Sequence, residues 1–387
     1  MATLTHGPRT LTLMSLNPIN PIIPRSTSRH AYGSERGDLF SGKAGDWRRC
    51  AILFLCVFFG TLGTVYSFIL LVDPYDIFPF SLPIDRRIVS IGDRFMYPQI
   101  VRSRRFDSLV IGTSTSRLLD PEQLNQLFHV TFANLAMSDA RAWEQHAILD
   151  FFVRTVSPPK ALIVGLDGVW CDQGADHHRI TFRGFPDWLY DDKPWKGFSH
   201  LLNYSTLEIA ARLVGYHLGV YPERIRYDGY EVFVPPEAQY DPVRAHDHIW
   251  QGRLQAPTDV SPPLSDEERS RLSFPALTWL EAGIARLPST SRKILAFMPV
   301  HIAAQPFPGT HAAGVEAECK TRIAAIGTKY GATVIDWRIP SSITRNDNNY
   351  WDGVHYRVPI ATRIAGELAA AAAGAESYDG SYIIAVR

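Results

Sequence analysis

Residues 108–128 read SLVIGTSTSRLLDPEQLNQLF, an order of features that predicts a strand, a turn and a helix. SLVIG (108–112) is a short apolar run closed by glycine, as in a strand buried on both faces. After Gly112-Thr113-Ser114-Thr115-Ser116, the stretch DPEQLNQLF opens with an acidic cap and a proline at a first-turn position. A serine at a strand-to-helix turn can direct its hydroxyl beyond the carboxyl edge of a sheet, where the helix that follows offers free N–H groups. Taken alone, the pentapeptide reads first as a Ser/Thr-rich helix cap. No Gly-Lys pair follows it, so a phosphate-binding P-loop is a poor fit.

The alternation continues outward from this stretch. VTFANL (130–135), ALIVGL (161–166), KILAFMPV (293–300) and ATVIDW (332–337) read as further strands. Helical periodicity over 139–156 stops at Pro158-Pro159; a charged helix is expected over 265–287, others over 311–330 and 360–373, and one near 201–213. Strands alternating with helices predict parallel pairing, because parallel neighbours need crossovers. The expected fold is therefore a three-layer α/β/α domain over 106–375 with a five-stranded parallel sheet and a C-terminal tail (376–387). The aromatic-rich stretch 168–264, inserted after the third strand, is expected to form a cap over the sheet's carboxyl edge.

Upstream, CAILFLCVFFGTLGTVYSFILLV (50–72) runs 23 residues without a charge. At about 1.5 Å per residue it reaches roughly 34 Å, enough for a hydrocarbon core of about 30 Å. It is longer than the apolar segment of a signal peptide, and VDPYDIFPF offers no small-residue cleavage site, so it reads as an uncleaved anchor. Arg36, Lys43, Arg48 and Arg49 precede it closely, against Arg86 and Arg87 after it. That bias predicts a cytoplasmic N-terminus and an extracytoplasmic C-terminal domain. Residues 1–49 read as a disordered tail and 73–105 as an extended linker.

Lys+Arg and Asp+Glu number 39 each, which leaves no basic footprint for nucleic acid. Cys50, Cys56, Cys171 and Cys319 show neither a CxxC pair nor zinc spacing, although Cys171 and Cys319 could pair in an oxidising compartment. His177, His178, His246 and His248 read as exposed loop residues, and no metal or cofactor is expected.

Near the C-terminus, Trp351-Asp352-Gly353-Val354-His355-Tyr356 follows the last expected strand and precedes the last helix. An Asp three residues before a His can orient the imidazole and fix the tautomer whose other nitrogen accepts a proton. A serine needs such a base to act as a nucleophile. With Gly112-Thr113-Ser114 and Asp352-x-x-His355 on one sheet edge, the chain over 106–373 resembles the SGNH/GDSL hydrolase superfamily.

That resemblance implies Ser114 as nucleophile, His355 as general base and Asp352 as its orienter. Asn134-Leu135-Ala136 stands at the family's Asn-x-Gly block, implying the Ala136 N–H as an oxyanion donor. Gly165-Leu166-Asp167 stands at the Gly-x-Asn block, with Asp167 in place of the donating Asn. An ionised carboxylate only accepts hydrogen bonds and repels a developing oxyanion. Another donor, a protonated Asp167, slow turnover or lost activity would each reconcile this departure. His301, after the fourth strand, is a candidate substrate contact.

The layout of tail, anchor and domain is similar to membrane-anchored SGNH-like proteins of the bacterial inner membrane. It implies a periplasmic esterase or acyltransferase acting on an envelope polysaccharide, alongside a multispanning acyltransferase partner. The alternative is a catalytically impaired binding or assembly component.

Overall fold

Helix α1 (Ala44–Val72) carries the uncharged run, in a computed structural model that describes residues 44–250 and 262–387. Its segment Asp46–Val72 is long and apolar enough to cross a membrane. Most of its side chains are exposed, but Ile69 and Val72 are buried. Of the tail read over 1–49, residues 1–43 lie outside the described residues, as do 251–261 of the cap.

Residues 73–105 are not an extended linker. Pro74, Pro79 and Pro83 are confined to the turns after α1, where the Asp73 carboxylate accepts the N–H groups of Ile77 and Phe78, each at 2.8 Å. Helix α2 (Asp93–Arg102) then buries Met96, Tyr97, Ile100 and Val101 in the same core as Ile69 and Val72. Three prolines close together suggested an unpacked segment, whereas the apolar residues around and beyond them belong to the domain.

Five strands follow the expected order: β1 (Ser108–Ile111), then α3 (Ser114–Arg117) and α4 (Pro121–Phe128); β2 (Phe132–Asn134) and α5 (Ala142–Thr155); β3 (Ala161–Leu166). The cap contributes α6 (Tyr204–His217) and α7 (Pro242–Trp250). The charged stretch forms two helices, α8 (Asp266–Arg271) and α9 (Ala276–Ala285). Pro275 separates them, because it lacks an N–H and disfavours helix at the residue before it. Next come β4 (Arg292–Phe297), α10 (His311–Tyr330), β5 (Thr333–Asp336), α11 (Val358–Ala372) and β6 (Ile383–Val386).

The sheet is mixed and six-stranded, in the order β2-β1-β3-β4-β5-β6, which corrects the expected five parallel strands. β6 lies antiparallel to β5, pairing Asp336 with Ile383, so the C-terminal residues form an edge strand rather than a tail. The five parallel strands bury both faces. Leu109, Ile111, Leu162 and Val164 face one core, while Val110, Ile163, Ile294 and Ile335 face the other. Connections diverge between β1 and β3, the switch point at which open α/β sheets form a crevice beyond the strands' carboxyl ends.

The cap is stitched to this frame. Asp228 accepts the Asn134 N–H at 2.8 Å through its carbonyl, covering the open edge of β2. Gly229 (φ 84°) fits there because any Cβ would collide with the Asn134 carbonyl. Cys171, after β3, is disulfide-bonded to Cys319 on α10, with Cα atoms 5.7 Å apart.

α2 is joined to α5 by a buried ion pair, in which Arg94 donates to Glu144 through Nε at 2.7 Å and Nη2 at 3.0 Å. Both side chains are at most 2% exposed. Arg94→Ala strands the Glu144 carboxylate inside the protein. The full chain in detergent should lose about 3–5 kcal/mol of stability, read as a lower denaturant midpoint, with Arg94→Lys intermediate.

Candidate active site

The turn after β1 is shaped by Ser116, whose side chain sits where a Cβ on Gly112 or Gly165 would have to go. Both strand ends must be glycine for α3 to approach the sheet this closely. Ser114 occupies the first position of α3. Thr113 precedes the helix without capping it, because its hydroxyl instead donates to the Asp167 carboxylate. The first turn of α3 therefore has no side-chain cap; its Ser116 N–H donates to the Thr113 carbonyl at 3.0 Å, which leaves the Ser114 and Thr115 N–H groups without an intrahelical acceptor.

Residues 350–356 bring the second half of the site to the same edge. Tyr350 and Tyr356 pair as an isolated bridge, and Trp351 N–H donates to the His355 carbonyl at 2.8 Å. The Tyr356 hydroxyl reaches the Thr115 carbonyl, tying this turn to α3. His355 Nε2 lies 2.9 Å from Ser114 Oγ, and its Nδ1 lies 2.7 Å from Asp352 Oδ2. Asp352 Oδ1 also accepts the N–H groups of Val354 and His355, each at 2.8 Å.

Burial pushes the Asp352 carboxyl up, but the His355 ring and these two N–H donors outweigh it and hold the carboxyl below its ordinary value. Asp352 is thus kept ionised beside the imidazole, as an orienting carboxylate requires. Phe233 of the cap packs edge-on against His355, with ring centroids 5.4 Å apart.

Ser114, His355 and Asp167 open into one cleft of about 760 Å³, with Arg338 after β5 and Arg183 from the cap on its walls. The sequence reading did not single out Arg338. Its signal was position alone, two residues past β5 on the edge that carries Ser114.

Three expected residues serve differently. Asn134 is a bracket: its Nδ2 donates to the carbonyls of Ser116 at 2.9 Å and Leu119 at 2.8 Å. Its Oδ1 accepts the Ala136 N–H at 3.1 Å. The Ala136 N–H is therefore engaged within its own turn and is not offered to the cleft. His301 is fully buried; its Nδ1 accepts the Ala303 N–H at 3.1 Å, and its Nε2 lies 2.9 Å from Asp347 Oδ1. It fastens its loop to the segment before the Asp352 turn rather than facing the cleft. His246 and Trp250 converge on the same Asp347. Among the described residues, no group of three or more His, Cys, Asp or Glu side chains is arranged to hold a metal ion.

Compared with models of known protein families and with curated proteins, the sequence matches none.

Asp167 is 9% exposed. Burial raises its carboxyl above the ordinary 3.8, against the opposing pull of the Thr113 hydroxyl, the Arg338 charge and the Val169 N–H. The folded state therefore holds this proton more tightly than the unfolded chain does. The stability linked to it is present below about pH 3.8 and is lost as pH rises through the folded value. Asp167→Asn should be more stable than the parent at pH 7, with the difference vanishing on acidification below pH 4. Denaturation midpoints of both proteins across pH 3.5–8 test this, and a gap that widens toward acid would contradict it.

Proposed function

We propose that the chain is a membrane-anchored serine acyl-ester hydrolase or acyltransferase of SGNH type, working through an acyl-serine on a cell-envelope glycan. The observation that carries this reading is the continuous Ser114–His355–Asp352 hydrogen-bond chain at 2.9 and 2.7 Å, open to a cleft. Ser114 Oγ attacks the ester carbonyl carbon while its proton passes to His355 Nε2. Asp352 holds the Nδ1–H and stabilises the imidazolium. As the tetrahedral intermediate collapses, the departing alkoxide takes the Nε2 proton and leaves the acyl group on Ser114. His355 Nε2 then deprotonates water or a sugar hydroxyl, whose oxygen attacks the acyl carbon and displaces Ser114 Oγ, which takes the proton back from Nε2.

The oxyanion draws on the Ser114 and Thr115 N–H groups at the start of α3 and on the positive field of Arg338, since Ala136 is engaged elsewhere and Asp167 only accepts. The apolar helix and the Cys171–Cys319 bond support an anchored domain in an oxidising, extracytoplasmic compartment. Tethering favours transfer, because it keeps the site within reach of a membrane-bound, multispanning acyl donor. Asp167 at the position of a donating Asn supports the second reading, a binding or assembly component that has lost turnover.

A serine-directed fluorophosphonate separates the two. Wild-type protein should acquire one adduct on Ser114, absent in Ser114→Ala, and Asp352→Asn should react about 10⁴-fold more slowly. Folded wild type that stays unlabelled would leave the binding reading.

A further inference from the structure

The end of α1 carries a second feature, unrelated to the cleft. The turn after α1 and the segment Pro194–His200 of the cap enclose, with the last turns of the helix, a groove of about 810 Å³. Tyr66, Leu70, Ile77, Phe78, Phe80, Trp195 and Phe198 line it, with Asp76 and Pro79. Phe80 is 61% exposed, Trp195 48% and Phe198 55%. The Tyr66 hydroxyl donates to the Phe198 carbonyl at 2.7 Å, so the cap segment is fixed directly to the helix.

The length of α1 says what covers this groove. A hydrocarbon core of about 30 Å needs about 20 helical residues. Counted from Cys50, the first residue after the charged end, such a span closes near Ile69. Ile69 is also the first residue of α1 that is fully buried in the domain. The apolar length of the helix thus suffices only if the bilayer reaches the turns holding Tyr66 and Leu70. Phe80, Trp195 and Phe198 stand around those same turns, and aromatic side chains concentrate at this depth of a membrane. Leu71 and Leu82 continue the exposed apolar surface, at 47% and 45%.

Resting on the reading of α1 as a span, we propose that this groove is a lipid-binding seat. Acyl chains of the adjoining leaflet fill it, and Phe80, Trp195 and Phe198 dip to the headgroup boundary. The domain is then held against the bilayer by its own surface as well as by its anchor.

The test uses the full chain, with Cys50 and Cys56 replaced by alanine, in phosphatidylethanolamine–phosphatidylglycerol vesicles. Nitroxide labels go singly on Leu53→Cys, Phe80→Cys, Trp195→Cys, Phe182→Cys and Tyr378→Cys. All five parent residues are exposed, so no label displaces core packing. Labels at 53, 80 and 195 should collide more with oxygen than with a water-soluble nickel complex, and labels at 182 and 378 the reverse. Lipid-like 53 with water-like 80 and 195 overturns the seat, leaves the anchor standing and hands the groove to a protein partner. Water-like 53 overturns the span itself, and the seat with it.

Discussion

A helical turn of four residues does not hold itself together in water, because nucleation fixes several dihedrals for a single hydrogen bond. α3 has four residues and carries Ser114, so its geometry has to be imposed from outside. Asn134 does this at the carbonyl end, where its amide nitrogen meets the Ser116 and Leu119 carbonyls. Tyr356 does it in the middle, through the Thr115 carbonyl. Gly112 and Gly165 let the turn settle between two strand ends. Since Tyr356 follows His355 directly, one contact sets the helix and the histidine against each other. The distance between Ser114 and His355 thus depends on packing between elements more than 200 residues apart in sequence.

The parts legible in the sequence were those written in local pattern. β3 falls on ALIVGL, and α10 runs from His311 to Tyr330, the stretch expected to be helical between the fourth and fifth strands. Ser114, His355 and Asp352 could be singled out because a sheet edge gathers the turns that follow parallel strands. Function within a turn was less legible. Asn134 and Ala136 stood at the right positions, yet side-chain amides bond whichever carbonyls lie nearest, and for Asn134 those belong to α3. His301 likewise points inward because Asp347 waits there, a partner 46 positions downstream that no spacing rule connects to it. β6 escaped notice because a four-residue strand at the chain end has little periodicity, and its pairing depends on the open edge of β5.

The same dependence on distant partners governs the start of the domain. Prolines after α1 suggested an unpacked linker, but a proline only removes an N–H and fixes one dihedral. With Arg86 donating to the Asp73 carbonyl at 2.8 Å and the Asp73 carboxylate gathering two further N–H groups, the turn is built rather than slack. Since α1 enters the core that contains α2, and α2 is pinned to α5 by Arg94, the last turns of the helix are a structural member of the domain. α5 begins just after the loop that follows β2, where Arg94 also donates to the Ser138 carbonyl at 3.0 Å. Ser138 lines the cleft, so α2, which packs in the same core as the end of α1, shares a network with one wall of the cleft.

Asp167 is best understood through what its oxygens already do. One accepts the Thr113 hydroxyl, and the other accepts the Val169 N–H at 3.3 Å. Both bonds favour the ionised carboxylate while burial opposes it, so the group joins the ends of β1 and β3 by accepting from each side. An Asn there could keep one acceptor but would have to aim its N–H₂ elsewhere, toward the cleft or toward Val169. Asp167 therefore serves as a brace where a donating amide would not. On the proposed reading, positive potential in the site would come from groups other than residue 167, namely the Ser114 and Thr115 N–H groups and the Arg338 guanidinium. The Arg338 guanidinium donates to the carbonyls of Met298 at 3.4 Å and Leu166 at 3.5 Å. At those lengths the bonds are weak, and the side chain lines the cleft beside Asp167.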